Sequence, residues 1–257
     1  MLQARFLRPY TEKFFRTAGI APGMRVLDLG SGVGDVALLA ADIVGSGGRV
    51  LGLDFDATGL ERARQRTVEK GCSSWVSFQA TKLGDFSTTE LFDAVAGRYI
   101  LLYQPDAALT IRHFTRFLKP GGIVVFHEMD VAEPHSSFPP CELWDQVYGL
   151  LGEVLRRAGV PPDFGRRTGK TFLDAGLPFP MIVAEVPVGG ERGSNLYPVV
   201  ANMLVSLGPR LAGLGLKLPI GVVADHTLAG KVEEAAVALG SQIAGPTQFG
   251  AWARKLL

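Results

Sequence analysis

The sequence predicts an α/β fold: a doubly wound, mostly parallel sheet of seven strands with helical insertions. Three observations predict it. From residue 24 to residue 130, apolar runs of strand length alternate with amphipathic stretches of helix length. Those strands are apolar on both faces, as strands covered by helices on both sides are. The first strand also runs straight into a glycine-rich loop, Gly30-Ser31-Gly32-Val33-Gly34, and a helical pattern follows. That is the βα unit at which open α/β sheets hold their ligands.

The elements follow in order. Residues 3–18 read as an amphipathic helix, with Phe6, Tyr10 and Phe14 near helical spacing. APGM breaks the chain, and 24–29 is a buried strand. After the glycines, 36–44 is a helix, and GRVLGLDFD is the second strand. Residues 58–70 form a charged helix closed by Gly71. WVSFQA is the third strand and FDAVAGRYILL the fourth. Residues 105–118 read as a helix stopped by KPGG, and 123–128 as the fifth strand. Beyond residue 128 the rhythm changes. Residues 130–165 hold proline-containing stretches and one helix near 142–157. PMIVAEVPVG reads as a sixth strand, 195–240 as a mostly helical excursion, and PTQFGAWARK as the last strand.

The bulk numbers narrow the class. The chain has 257 residues, 47% of them apolar, enough for a packed core. Its 26 basic residues face 25 acidic ones, so no global basic footprint points to a nucleic-acid backbone. The two cysteines, Cys72 and Cys141, are too few for a disulfide scaffold or a cysteine-rich zinc site. The opening MLQARFLRPYTEKFF has scattered charges and no apolar signal core, and no stretch reaches membrane-span length. A cytoplasmic protein is the expectation.

The glycine loop poses the question of its ligand. The nicotinamide-dinucleotide fingerprint is G-x-G-x-x-G. Here the spacing is G-x-G-x-G, and Asp35 follows, a poor neighbour for a pyrophosphate at a helix amino terminus. A phosphate-binding P-loop is excluded, because no G-K-[ST] follows. Asp54 ends the second strand, where a carboxylate can accept hydrogen bonds from both hydroxyls of a ribose. NAD would satisfy that too; a strand-end Asp can also cap the next turn, the lesser reading here, since Asp56 is better placed for that task.

Four stretches carry a resemblance: LDLGSGVGD, GLDFD, FDAVAGRYILLYQPDAAL and FLKPGGIVVFHE, covering about 24–130. In this order and spacing they resemble the class I S-adenosylmethionine-dependent methyltransferases, with their Rossmann-like sheet. The likeness is greatest to small-molecule enzymes of the ubiquinone-biosynthesis type. The resemblance implies S-adenosyl-L-methionine as cofactor and one methyltransferase domain over 1–257. Within it, 1–20 would be an N-terminal helix or lid, 21–130 the cofactor-binding core, and 131–165 and 195–240 lid or substrate insertions. It also implies roles. Asp28 would lie near the methionine part, with Gly30, Ser31 and Gly32 giving the backbone close approach. Asp54 would bind the ribose and Phe55 would pack on adenine. The backbone of Gly97 and Arg98 would lie against the methionine end, and Tyr10 could close over the cofactor or simply pack. The family often has a Gly-Asp pair after the third strand; here Thr81 stands at the Asp position. Its hydroxyl and the backbone of Lys82 would then read adenine. Paired histidines after the fourth strand in many relatives are replaced by Leu102 and Tyr103.

Methyl transfer from a sulfonium has a good leaving group, so alignment supplies much of the rate. A base is needed only if the acceptor must lose a proton. His127, Glu128 and Asp130, at the end of the fifth strand, are the candidate catalytic residues. Alternation puts Glu128 and Asp130 on one face and His127 on the other. A general base, a divalent-metal site and a solvated loop with a structural histidine all remain open, with no metal site assigned. His135 and His226 are solitary, and Arg156, Arg157 and the RRTGK run read as solvated. DNA amino-methyltransferases carry N/D-P-P-Y/F/W after the fourth strand, where this chain has GRYI; PPC at Cys141 only superficially resembles a cytosine-C5 nucleophile. The expected acceptor is a small, partly apolar molecule. The alternatives are a non-methylating S-adenosylmethionine-binding protein and a dinucleotide-dependent oxidoreductase.

Overall fold

The computed structural model describes residues 2–132, 136–211, 213–218 and 222–256. The chain divides into two compact units. One, the sheet unit, comprises Leu7–Glu128, Arg166–Val183 and Phe249–Leu257; the other, the helical unit, comprises Met1–Phe6, Met129–Gly165 and Ala184–Gln248.

α1 (Leu2–Ala18), within the sheet unit from Leu7 onward, comes first, then β1 (Arg25–Leu29), α2 (Asp35–Val44), β2 (Arg49–Asp54), α3 (Ala57–Glu69) and β3 (Val76–Ala80). β4 (Phe92–Arg98), α4 (Ala107–Thr115) and β5 (Leu118–Asp130) follow. Farther along the chain come α6 (Phe164–Asp174), β7 (Met181–Glu185) and, last, β10 (Thr247–Arg254). The seven strands are ordered β3-β2-β1-β4-β5-β10-β7. The pairings among β1 to β5 are all parallel, within a mixed sheet of Rossmann-like type.

The pattern of burial explains why these segments take these forms. Every residue of α2 except Asp35 and Asp42 is buried, as expected of a helix apolar all round. It packs with Phe15, Val26, Val50, Ala94 and Val125 in one cluster. Asp56 caps α3 by accepting from the Thr58 N–H at 3.0 Å. Asp106 does the same for α4 through Leu109 N–H at 2.8 Å, which starts that helix two residues later than Pro105. β5 begins before the expected 123: Phe92 pairs with Leu118 and Ala94 with Ile123, so KPGG bulges within the strand instead of preceding it.

The sequence expectation passed over α6. Its RRTGK run, helical in the structure, leaves Arg166, Arg167 and Lys170 exposed, and Lys170 pairs with Asp174 at 2.8 Å. Gly169 sits in this helix because a Cβ there would lie 2.9 Å from the Phe179 ring.

In the helical unit, α5 (Glu142–Arg157), α7 (Leu196–Leu211) and α8 (Leu228–Leu239) pack on one another. Trp144 meets Tyr197 edge-on with ring centroids 6.1 Å apart. The unit also holds a small antiparallel sheet, β6 (Ser137–Phe138), β9 (Gln242–Ala244) and β8 (Val188–Gly189), strands of two or three residues. Arg157 donates to the Leu214 carbonyl at 2.9 Å, His226 is exposed, and His135 lies outside the described residues. Both cysteines are free and buried. Among the described residues, no helix is long and apolar enough to cross a membrane.

Helix α1 closes on the sheet through Phe14, whose ring lies directly over Gly250 of β10. Gly250→Ala places a methyl inside that ring's contact distance. Overpacking of this kind costs about 1–3 kcal/mol. A thermal melt should show a drop of about 2–4 °C for each kcal/mol; an unchanged melting temperature would show that α1 is not seated there.

Candidate functional site

Strand order reverses between β1 and β4: the chain winds outward through β2 and β3 on one side and through β5 on the other. The carboxyl ends of β1 and β4 therefore flank a crevice, the place where open α/β sheets bind ligands. Gly30, Gly32 and Gly34, just past β1, all take positive φ (68°, 51° and 84°), a conformation costly for other residues. Gly34 packs against α3, where a Cβ would lie 2.9 Å from that of Ala63, whereas a Cβ on Gly32 would meet nothing within 4 Å among the described residues. The loop is thus fixed at one end and open at its middle.

Asp28 is fully buried in β1. Among the described residues, no donor forms a full hydrogen bond to either of its carboxylate oxygens, and Ser31 Oγ is likewise without a partner. Burial pushes the Asp28 pKa up to about 7; the nearby Ser31 hydroxyl and Arg98 guanidinium oppose the rise, and Asp54 adds to it. A buried carboxylate lacking a close donor suits a cationic group such as the ammonium of a methionine moiety. Asp54 stands at the end of β2. Its Oδ2 accepts from Gly32 N–H at 2.8 Å and its Oδ1 from Asp56 N–H at 2.9 Å. This carboxylate therefore ties the open part of the glycine loop to the second strand. Phe55, next to it, is 80% exposed, an apolar ring presented at the strand end. Thr81 N–H donates to the Asp54 carbonyl at 2.8 Å, and its hydroxyl to the Lys82 carbonyl at 3.1 Å. Thr81 and Lys82 thus neighbour Asp54. The donor set fits an adenosyl amino acid: a buried carboxylate, an open glycine backbone, a strand-end carboxylate and an exposed ring.

Gly97 of β4 pairs with Leu29. A Cβ there would lie 2.8 Å from Ile100 and 3.0 Å from Phe126. Only a backbone role is expected of Arg98 from the resemblance, but its side chain does more. It is nearly buried, donates to Thr11 Oγ1 at 3.2 Å and lies 3.8 Å from Asp35. Thr11 gives its one proton to the Leu7 carbonyl, so its oxygen accepts from Arg98 and from His127 Nδ1 at 2.9 Å, which assigns the proton to Nδ1. Tyr10 is half-buried beside this link.

The three strand-end candidates do not converge as exposed groups. His127 is fully buried between Phe14 and Tyr99, with ring centroids 5.0 and 5.4 Å away. Glu128 is fully buried, and its Oε1 accepts from the Ile100 and Leu101 N–H groups at 3.1 and 2.8 Å. Burial pushes its pKa up to about 8, against the pull of those N–H groups. Asp130 belongs to the helical unit, where it accepts from Ala132 N–H at 2.9 Å. Among the described residues, no three His, Cys, Asp or Glu side chains are placed to hold a metal ion.

Asp54→Ala removes a charge-assisted acceptor, which costs on the order of 1.5–3 kcal/mol. Calorimetry should show S-adenosylhomocysteine binding weakened about ten- to a hundred-fold. Unchanged affinity would contradict the expectation that the β2 end holds the ribose.

A model of the methyltransferase domain matches residues 20–151. The chain is 35% identical to the 2-phytyl-1,4-naphthoquinone methyltransferase of Synechococcus elongatus, over 71% of this chain and 77% of that one. It is 30% identical to the demethylmenaquinone methyltransferase of Staphylococcus aureus, over 63% of this chain and 61% of the relative's length. The geranyl diphosphate C-methyltransferase of Streptomyces coelicolor, solved with S-adenosylhomocysteine, shares the fold at a TM-score of 0.58 and 18% identity, over 98% of this chain and 80% of that one. The chain belongs to the methyltransferase-domain family, with the Rossmann-like sheet of its class I fold.

Proposed function

We propose that this protein transfers a methyl group from S-adenosylmethionine to a small, partly apolar acceptor of the naphthoquinone class. The observation that carries the reading is the crevice at the β1–β4 reversal, where Asp28, the open Gly32 backbone and Asp54 stand at neighbouring strand ends. The acceptor class is supported by the relatives, a demethylmenaquinone methyltransferase and a 2-phytyl-1,4-naphthoquinone methyltransferase. Near-neutral charge, a formal +1, weighs against a nucleic-acid acceptor, which needs phosphate contacts.

The cofactor supplies an activated methyl on a good leaving group. What the chain must do is align the partners and exclude water, and alignment alone is worth several kcal/mol. The hydroxyl of a reduced quinone is a weak acid, with a pKa of about 10 like a phenol, so methyl transfer to its oxygen or ring carbon must also hand one proton to a base or to solvent. His127 and Glu128 are buried and engaged in hydrogen bonds within the fold, so the proposal gives neither of them that task.

Incubation with S-adenosylmethionine and a panel of reduced naphthoquinones, reduced benzoquinones and oligonucleotides tests the proposal. S-adenosylhomocysteine release is expected with a reduced naphthoquinone and not with DNA or RNA. Cofactor binding without release in the presence of any quinol would contradict methyl transfer to this class.

A further inference from the structure

Glu128 is a fully buried carboxyl at the end of β5, and its surroundings describe a task other than proton transfer. Three successive backbone N–H groups just past β4 are held by two successive residues of β5. Tyr99 N–H donates to the His127 carbonyl at 2.8 Å. Ile100 and Leu101 donate to Glu128 Oε1 at 3.1 and 2.8 Å. The turn they belong to is strained: Tyr99 has φ 54°, a region costly for a bulky side chain. The next residue, Ile100, places its side chain over the cofactor loop. A Cβ added to Gly30 would lie 2.5 Å from Ile100 Cδ1, and one added to Gly97 2.8 Å from Ile100 Cγ2. Ile100 thus occupies the space a Cβ at either position would take, in addition to the positive φ of Gly30 and the Phe126 ring and Leu29 carbonyl that crowd Gly97.

We propose that Glu128 is a positioning residue: it clamps the turn after β4 and so holds Ile100 as the wall of the cofactor crevice beside Gly30. It acts through backbone N–H groups and need not touch the cofactor or the methyl acceptor. Oε1 accepts both N–H groups, while Oε2 has no partner among the described residues. A proton on Oε2 leaves the clamp intact, so the side chain works as a neutral acceptor as well as a charged one. The burial that raises its pKa toward 8 is consistent with that. A glutamine, with its carbonyl in the place of Oε1, preserves the clamp; an alanine removes it and leaves two inward-facing N–H groups without their acceptor.

The inference rests on the crevice binding S-adenosylmethionine, and the test separates the two. Calorimetry with S-adenosylhomocysteine is run on the parent, Glu128→Gln, Glu128→Ala and Ile100→Ala, with melting curves for each. A parent that binds confirms the crevice; a parent that does not bind removes both claims. In folded protein, Glu128→Ala is expected to lose roughly tenfold or more in affinity, and Glu128→Gln to stay within about threefold of the parent. Ile100→Ala keeps the clamp but removes the wall, and is expected to weaken binding without a matching loss of melting temperature. It carries the test if Glu128→Ala does not fold. Unchanged affinity in Ile100→Ala, or in a folded Glu128→Ala, would overturn the proposal. So would a Gln variant as impaired as the Ala variant. A general base would instead leave the affinity of both Glu128 variants at the parent value.

Discussion

The reversal of strand order between β1 and β4 is the constraint on which the rest of the site depends. Adjacent parallel strands whose connections leave in opposite directions cannot both have their carboxyl ends covered by the same helix. A crevice opens between them, and the chain must turn sharply on both sides of it. On the β1 side, glycines with positive φ make the turn. On the β4 side, the turn passes through Tyr99 in a strained conformation, held by the His127 carbonyl and the Glu128 carboxyl of the adjoining strand. The two turns approach closely: Ile100 lies where a Cβ at Gly30 would be, and Ile100, Phe126 and the Leu29 carbonyl lie around that of Gly97.

The buried polar groups near this crevice fall into two kinds. Thr11, Arg98 and His127 are mutually hydrogen-bonded and tie α1 to β4 and β5, so their polarity is satisfied within the fold. Asp28 and Ser31 lack such partners among the described residues. Burying an unpaired carboxyl is costly, and Asp28 lowers that cost by favouring its protonated form, with a pKa near 7. The first kind holds the architecture. The second kind is left without partners among the described residues, at the carboxyl end of β1.

Much of this was legible in the sequence. The five parallel strands, the apolar α2 and the G-x-G-x-G loop carry strong periodic or compositional signals, and Asp54 is marked by its place at a strand end. Other parts were not. α6 was missed because Gly169 and a run of basic residues hide its helical period, and that glycine is explained only by Phe179, ten residues away in the chain. β6, β8 and β9 are too short to show alternation at all. The position of His127, Glu128 and Asp130 at a strand end was readable, but their partners were not. A strand-end carboxylate that faces an acceptor and one that accepts backbone N–H groups look alike until the turn after β4 is placed. Ile100 gave no signal of its own, since an isoleucine after a strand is ordinary until a glycine is found beneath it.

Hydrogen–deuterium exchange with and without S-adenosylhomocysteine tests the central claim most directly, because it locates the ligand on the intact chain. The account predicts added protection in three separated stretches: 29–34 after β1, 54–56 after β2 and 97–103 after β4. Binding that protects none of these three, or only segments of the helical unit, would contradict the placement of the cofactor at the β1–β4 reversal.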